Sequence, residues 1–334
     1  MYKILVIAPS WVGDNMLMQP MLMRLKQRHP DSQIDVLAPS WTAGLLHAMP
    51  EVSNVLINPF PHGALQLRKR YALGKQLRVG NYQQALVLPN TFKSALIAFF
   101  ARIPLRTGFV GESRYVLLND IRKLDKQKLP LMVERFSQLA EKPKRDIPRP
   151  LPQPVLHVSA KQCRDTLQKF ELSLDNAITA FCPGAEYGAA KRWPTTYFAD
   201  ITRRLLQRGV VVVLIGSKKD FEVADEINRL TGGRCHNLCG RTNLTEAIAL
   251  LACAETVVSN DSGLMHIAAA LDRPMIALFG SSSPQFTPPL SSVAHVLQFP
   301  IACSPCFKRI CPLGHFDCMM QLTPDSVWEK LQTL

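Results

Sequence analysis

The 334 residues are 47% hydrophobic and 19% charged with 17 glycines, too apolar for an intrinsically disordered chain and too poor in glycine for a collagen-like one. No apolar run approaches the roughly 20 residues of a membrane-spanning helix; the longest, 94–101, is bounded by Lys93 and Arg102 and reads as a buried helix. Residues 1–158 carry 22 basic and 10 acidic side chains (+12) and residues 159–334 carry 17 and 16 (+1), so the N-terminal half is expected to face an anionic partner or to be a solvated basic surface.

In chain order, a strand is predicted at 3–8. It is too short for a signal-peptide core and turns at Pro9, so a cytoplasmic protein is expected. Helices follow at 16–28 and 91–101, with strands at 34–38, 85–88 and 106–109. Residues 142–154 hold five prolines, which no helix interior or central strand accepts, so this stretch is a linker. The pattern then restarts. Strands at 177–182, 210–215, 256–259 and 275–279 are nearly all apolar, as parallel strands covered on both faces are. A helix at 194–208 has Pro194 in its first turn and Gly209 after it, another spans 264–271, and the last begins at Thr323-Pro324-Asp325. No repeat of solenoid period occurs. The expected fold class is α/β, two Rossmann-like domains at 1–154 and 155–334 facing across a cleft, with the linker at about 143–154. Ligands of such sheets bind beyond the carboxyl ends of the strands.

Three loops at those ends carry chemistry. The first strand runs into Ser10-Trp11-Val12-Gly13-Asp14. Asp14 is either a helix cap or a general base. The strand at 177–182 runs into Pro183-Gly184-Ala185-Glu186-Tyr187-Gly188, closed by Lys191-Arg192-Trp193-Pro194. Backbone N–H groups and a fixed ammonium there suit a pyrophosphate, although an ordinary loop with a solvated Lys-Arg pair reads the same. The strand at 256–259 runs into Asn260-Asp261-Ser262-Gly263-Leu264-Met265-His266, where a helix N-terminus offers free N–H groups to an anion. His266 either faces that anion or is a core histidine. Ser281-Ser282-Ser283 follows the next strand and lines the same region if the sheet is right.

Absent motifs narrow the chemistry. There is no G-x-G-x-x-G, which removes the main support for a dinucleotide-dependent oxidoreductase. There is no G-x-S-x-G elbow and no Asp-x-Asp pair to hold a divalent ion on a nucleotide diphosphate. The basic half has no nucleic-acid recognition motif. Nine cysteines include Cys303, Cys306, Cys311 and Cys318 in one stretch. They read as a zinc site with unfamiliar later spacing or as buried reduced thiols.

Ser-Trp-Val-Gly-Asp at 10–14, Pro-Asn-Thr-Phe-Lys-Ser-Ala at 89–95, Cys-Pro-Gly-Ala-Glu-Tyr-Gly at 182–188, Lys-Arg-Trp-Pro at 191–194, Asn-Asp-Ser-Gly-Leu-Met-His at 260–266 and Phe-Thr-Pro-Pro-Leu at 286–290 resemble the lipopolysaccharide heptosyltransferases of glycosyltransferase family 9, within them the heptosyltransferase II group. The resemblance implies a GT-B fold and an inverting, metal-independent glycosyltransferase with no cofactor. It implies ADP-L-glycero-D-manno-heptose as donor, and as acceptor the first heptose of Kdo2–lipid A at the inner membrane face. Heptosyltransferases I and III are the near alternatives. It places the base on Asp14, the pyrophosphate lysine on Lys191, and donor contacts on Gly184, Glu186, Asp261, Ser262, Gly263 and His266. The partners it implies are the nucleotide-sugar and the lipid acceptor through peripheral membrane contact, with no nucleic acid.

Overall fold

Six short strands open the computed structural model, which describes residues 1–61 and 63–334. They are β1 (Lys3–Ile7), β2 (Gln33–Ala38), β3 (Asn54–Ile57), β4 (Gln84–Val87), β5 (Leu105–Phe109) and β6 (Asp120–Arg122). They pair in parallel in the order β3-β2-β1-β4-β5-β6. Six more follow: β7 (Ile178–Cys182), β8 (Val211–Leu214), β9 (His236–Asn237), β10 (Thr256–Asn260), β11 (Met275–Phe279) and β12 (Ala294–Gln298). The second sheet is also parallel, in the order β12-β11-β10-β7-β8-β9. The two sheets therefore share one topology, that of the doubly wound nucleotide-binding fold. The chain divides into Met1–Pro154 and Val155–Leu334, each holding one sheet.

The central strands are the ones the apolar runs announce. Ile4, Leu5, Val6 and Ile7 of β1 are fully buried, as are Phe181 of β7 and Val258 of β10. The unannounced strands β3, β6, β9 and β12 lie towards the sheet edges and are short or half-exposed. Helix Val12–Arg28 begins four residues before its expected start and buries Met16, Leu17, Met18, Met21, Leu22 and Leu25. It packs on helix Met132–Gln138, and Arg24 ties it to Glu141 at 2.7 Å. In the second unit, helix Thr195–Gln207 leaves Pro194 at its cap position, not inside the first turn. Gly209 ends it in the left-handed region at φ 75°, where a side chain is disfavoured. The last helix, Pro324–Leu331, is capped by the Thr323 hydroxyl, which accepts from the Ser326 N–H at 3.3 Å.

In both sheets the connections reverse direction beside the first strand. The crevices that result lie between β1 and β4 and between β7 and β10, at the strands' carboxyl ends.

Candidate active site

At the second crevice, β7 leads through the loop from Pro183 into the short 3-10 turn Ala189–Lys191. The Lys191 ammonium lies 2.5 Å from Asp261 Oδ2, and both are largely withdrawn from water, with side-chain exposures of 17% and 5%. Asp261 directly follows β10 and precedes helix Gly263–Ala270. Asn260 staples the two loops together. Its amide donates to the Pro183 carbonyl at 2.7 Å, and its oxygen accepts from the Trp193 N–H at 3.1 Å. Trp193 is in turn buried, donating its indole N–H to the Leu322 carbonyl at 2.6 Å. Lys191 is thus fixed from both sides by core residues.

His266 lies one turn into helix Gly263–Ala270 and is buried. Burial pushes its pKa down to about 4, against the pull of Asp261 and with the push of Lys191, so it is neutral near pH 7. It is thus a core histidine that lies within electrostatic reach of the Lys191–Asp261 pair. Ser262 sits at the helix cap position, but its hydroxyl makes no capping hydrogen bond and lies 3.3 Å from the Ser259 hydroxyl. The first N–H groups of a helix lack intrahelical acceptors, and here they open at a crevice beside a lysine. Gly184 is required by packing, because a Cβ there would stand 2.2 Å from Asp220 Cγ. Glu186 is placed differently from the others. It is exposed and ion-paired with Lys219, outside the Lys191–Asp261 pair.

At the first crevice, Asp14 occupies the first turn of helix Val12–Arg28, half-buried, directly beyond β1. The cap position belongs to Trp11, so Asp14 is not the cap. Asn15 anchors the loop by donating to the carbonyls of Pro9 and Trp11 at 3.0 and 2.7 Å. The loop after β4 is held by buried Arg114, which donates to the carbonyls of Pro89 and Phe109 and to Asn90 Oδ1. Desolvation pulls the Arg114 pKa down to about 10.

Several residues here escaped the sequence reading. Asp220 comes from β8's loop, accepts from the Ser217 N–H and hydroxyl at 3.0 and 2.7 Å, and lies 3.9 Å from Arg192. Trp41, 56% exposed, donates its indole N–H to the Ser10 carbonyl at 3.0 Å. Arg114 and Trp41 lie far in sequence from the motifs they support, and only the fold joins them. The run Arg68-Lys69-Arg70 reads as one basic patch, yet Arg70 is buried, stacked over the Phe60 ring at 4.0 Å and bonded to the carbonyls of Leu65 and Ala64. Arg68 and Lys69 stay exposed in the first turn of helix Leu67–Leu77, at the carboxyl end of the sheet. Lys75 and Arg78 belong to its opposite end, where Arg78 donates to the Phe100 carbonyl.

With this geometry in view, the profile of glycosyltransferase family 9 (heptosyltransferase) matches residues 70–317. Lipopolysaccharide heptosyltransferase 2 of Escherichia coli K12 is 47% identical over 99% of this chain and 98% of its own. The chain belongs to glycosyltransferase family 9, the heptosyltransferases. The corresponding protein of Salmonella typhimurium is 48% identical over the same shares. The solved structure of E. coli ADP-heptose LPS heptosyltransferase II superposes with a TM-score of 0.89 at 44% identity, covering 99% of this chain and 98% of that one. The protein is a glycosyltransferase, and its fold class is that of the GT-B enzymes. Among the described residues, no helix is long and apolar enough to cross a membrane.

Proposed function

We propose that this heptosyltransferase moves L-glycero-D-manno-heptose from its ADP ester to the first heptose of the Kdo2–lipid A core. Relatives named for heptosyltransferase 2 at nearly half identity and full length support the reaction and the acceptor class. The observation that carries the chemistry is the Lys191–Asp261 pair beside the N-terminus of helix Gly263–Ala270. The second unit binds the donor. Its diphosphate draws the Lys191 ammonium from Asp261 and accepts from the helix N–H groups. Gly184, Glu186, Ser262, Gly263 and His266 complete the donor set, with Glu186 free to leave Lys219 because that pair is solvent-exposed.

The first unit binds the acceptor. The acceptor hydroxyl oxygen attacks the anomeric carbon from the face opposite the diphosphate, so the centre inverts. As the new C–O bond forms, the Asp14 carboxylate takes the hydroxyl proton. The C–O bond to the β-phosphate breaks, and the charge gathering on ADP is met by Lys191 and the helix dipole. These groups replace a divalent ion in the reaction, and no cofactor is involved. The +12 charge of the first half, led by Arg68 and Lys69, attracts the acceptor's phosphates and the acidic cytoplasmic face of the inner membrane. The enzyme works there as a peripheral cytoplasmic protein. The deciding experiment is turnover of ADP-heptose with purified core acceptors carrying no heptose, one or two. The reading expects product from the one-heptose acceptor alone. Product only from the heptose-free or the two-heptose acceptor would instead identify the type I or type III reaction.

A further inference from the structure

In the cysteine-rich segment after β12, Phe307, Ile310 and Leu313 are 47%, 70% and 63% exposed. Cys303, Cys306, Cys311 and Cys318 all line one cavity of about 50 Å³, together with His315 and Ser281. Between residues 299 and 318 the only helix among the described residues is Asp317–Met320. A stretch with so little core of its own is normally stapled.

The local geometry suits thiolate ligands. The chain turns tightly after Cys311, where the Gly314 N–H donates to the Cys311 carbonyl at 3.3 Å and Gly314 lies in the left-handed region at φ 75°, which favours glycine. His315 Nδ1 accepts from the Asp317 N–H at 2.9 Å, which puts the proton of the neutral ring on Nε2. That atom lies 4.0 Å from the Cys303 sulfur, so the ring is turned to donate to the sulfur, not to bind an ion itself. The Ser281 hydroxyl in the same cavity wall is buried without a hydrogen-bond partner among the described residues.

We propose that Cys303, Cys306, Cys311 and Cys318 hold one divalent ion of the zinc or ferrous class as a structural tetrathiolate site. Such a site needs four sulfurs at about 2.3 Å from the ion. Among the described residues no three His, Cys, Asp or Glu side chains already stand in a ligating arrangement, so binding draws the sulfurs inward by side-chain rotation and releases their protons. The ion's role follows from what the segment braces. The Arg309 carbonyl accepts from the Ala190 N–H at 3.0 Å, and the Tyr187 hydroxyl donates to the Phe307 carbonyl at 2.9 Å. The Phe307 N–H donates to the Ser281 carbonyl at 2.7 Å. The segment thus backs the loop that presents Lys191, and its ion is a positioning element remote from the reaction. That consequence rests on the donor-site reading above, whereas the ion's presence does not.

Full-length protein purified under reducing conditions without chelator tests this by elemental analysis. About one zinc or iron per chain is expected, the element naming the ion. Cobalt(II) exchanged into the site should give the intense thiolate-to-cobalt absorption of tetrahedral sulfur ligation. Cys311→Ser and Cys318→Ser should lose the ion, while Cys163→Ser, outside the segment, should keep it. If the serine variants fail to fold, metal content and the cobalt spectrum of the wild-type protein decide alone. Ion removal by a mercurial should raise the ADP-heptose KM about 10-fold with a smaller change in kcat. Metal-free protein whose four thiols alkylate equally fast with and without added zinc would overturn the proposal, and so would disulfides among them by mass. An ion whose removal leaves the donor KM unchanged would leave the site standing and overturn its bracing of the Lys191 loop, while the donor-site reading itself stands or falls on ADP binding by Lys191→Met.

Discussion

Replacing Lys191 by Met separates two things the ammonium does. In the ligand-free protein it neutralises Asp261, which is 5% exposed, across 2.5 Å. Removing one partner of a buried pair costs about 3–5 kcal/mol, because the other charge is left without compensation. Lys191 retains 17% exposure, so the lower end, about 3 kcal/mol, is expected, or roughly 6–12 °C in melting temperature for a unit of this size. In the donor complex the same ammonium meets a phosphate oxygen. A hydrogen bond to a charged group contributes about 1.5–3 kcal/mol, so the Kd for ADP should rise roughly 10- to 150-fold. The kcat should fall as well, since negative charge on the leaving diphosphate grows in the transition state. Calorimetric titration with ADP and thermal melts on the same samples give both numbers. The double variant Lys191→Met/Asp261→Asn closes the cycle. It should regain most of the melting temperature and none of the ADP affinity. Unchanged ADP binding in Lys191→Met, or recovery of binding in the double variant, would refute the pyrophosphate role and leave Lys191 a structural counter-ion.

Which parts of this molecule were legible in its sequence follows from burial. Strands covered on both faces, such as β7 and β11, are nearly all apolar, and β11 ends where the sequence places it. β3 and β12 lack that signature because they are half-exposed, and β6 and β9 because they are only three and two residues long. The site divides the same way. Lys191 and Asp261 belong to segments that directly follow central strands, and His266 to the helix just after the second, so the topology itself brings Lys191 and Asp261 together across 70 residues of chain. Asp220 follows β8 in a plain Lys-Lys-Asp sequence, and nothing local distinguishes it from a surface residue. The Arg68-Lys69-Arg70 run misleads for a related reason. Charge is visible in a sequence, but whether a guanidinium faces water or neighbouring carbonyls is decided by packing.

His266 makes the folded state sensitive to acid. Burial holds its folded pKa at about 4 against 6.5 unfolded, so this contribution is complete above pH 6.5 and is lost as pH falls from there towards 4. The full loss is on the order of 3 kcal/mol, and urea midpoints of His266→Gln should fall less steeply than wild type over that range. An equal slope in both would place the acid sensitivity elsewhere. Arg68→Gln/Lys69→Gln should raise the acceptor KM and weaken co-sedimentation with acidic vesicles by about 1 kcal/mol per charge at low salt, with the ADP Kd unchanged; unaltered vesicle binding would reduce them to a solvated helix end. Turnover should persist in EDTA without added Mg²⁺ or Mn²⁺, and activity that disappears and returns specifically with Mg²⁺ would overturn the metal-free reaction. Asp14→Asn keeps the shape of the first turn and removes the base. Because a positioned base contributes about 10²–10⁴-fold in rate, kcat should fall by that factor. The ADP Kd should hold, since Asp14 does not belong to the donor unit. A variant that keeps near wild-type kcat with the same acceptor would assign the proton transfer to another group.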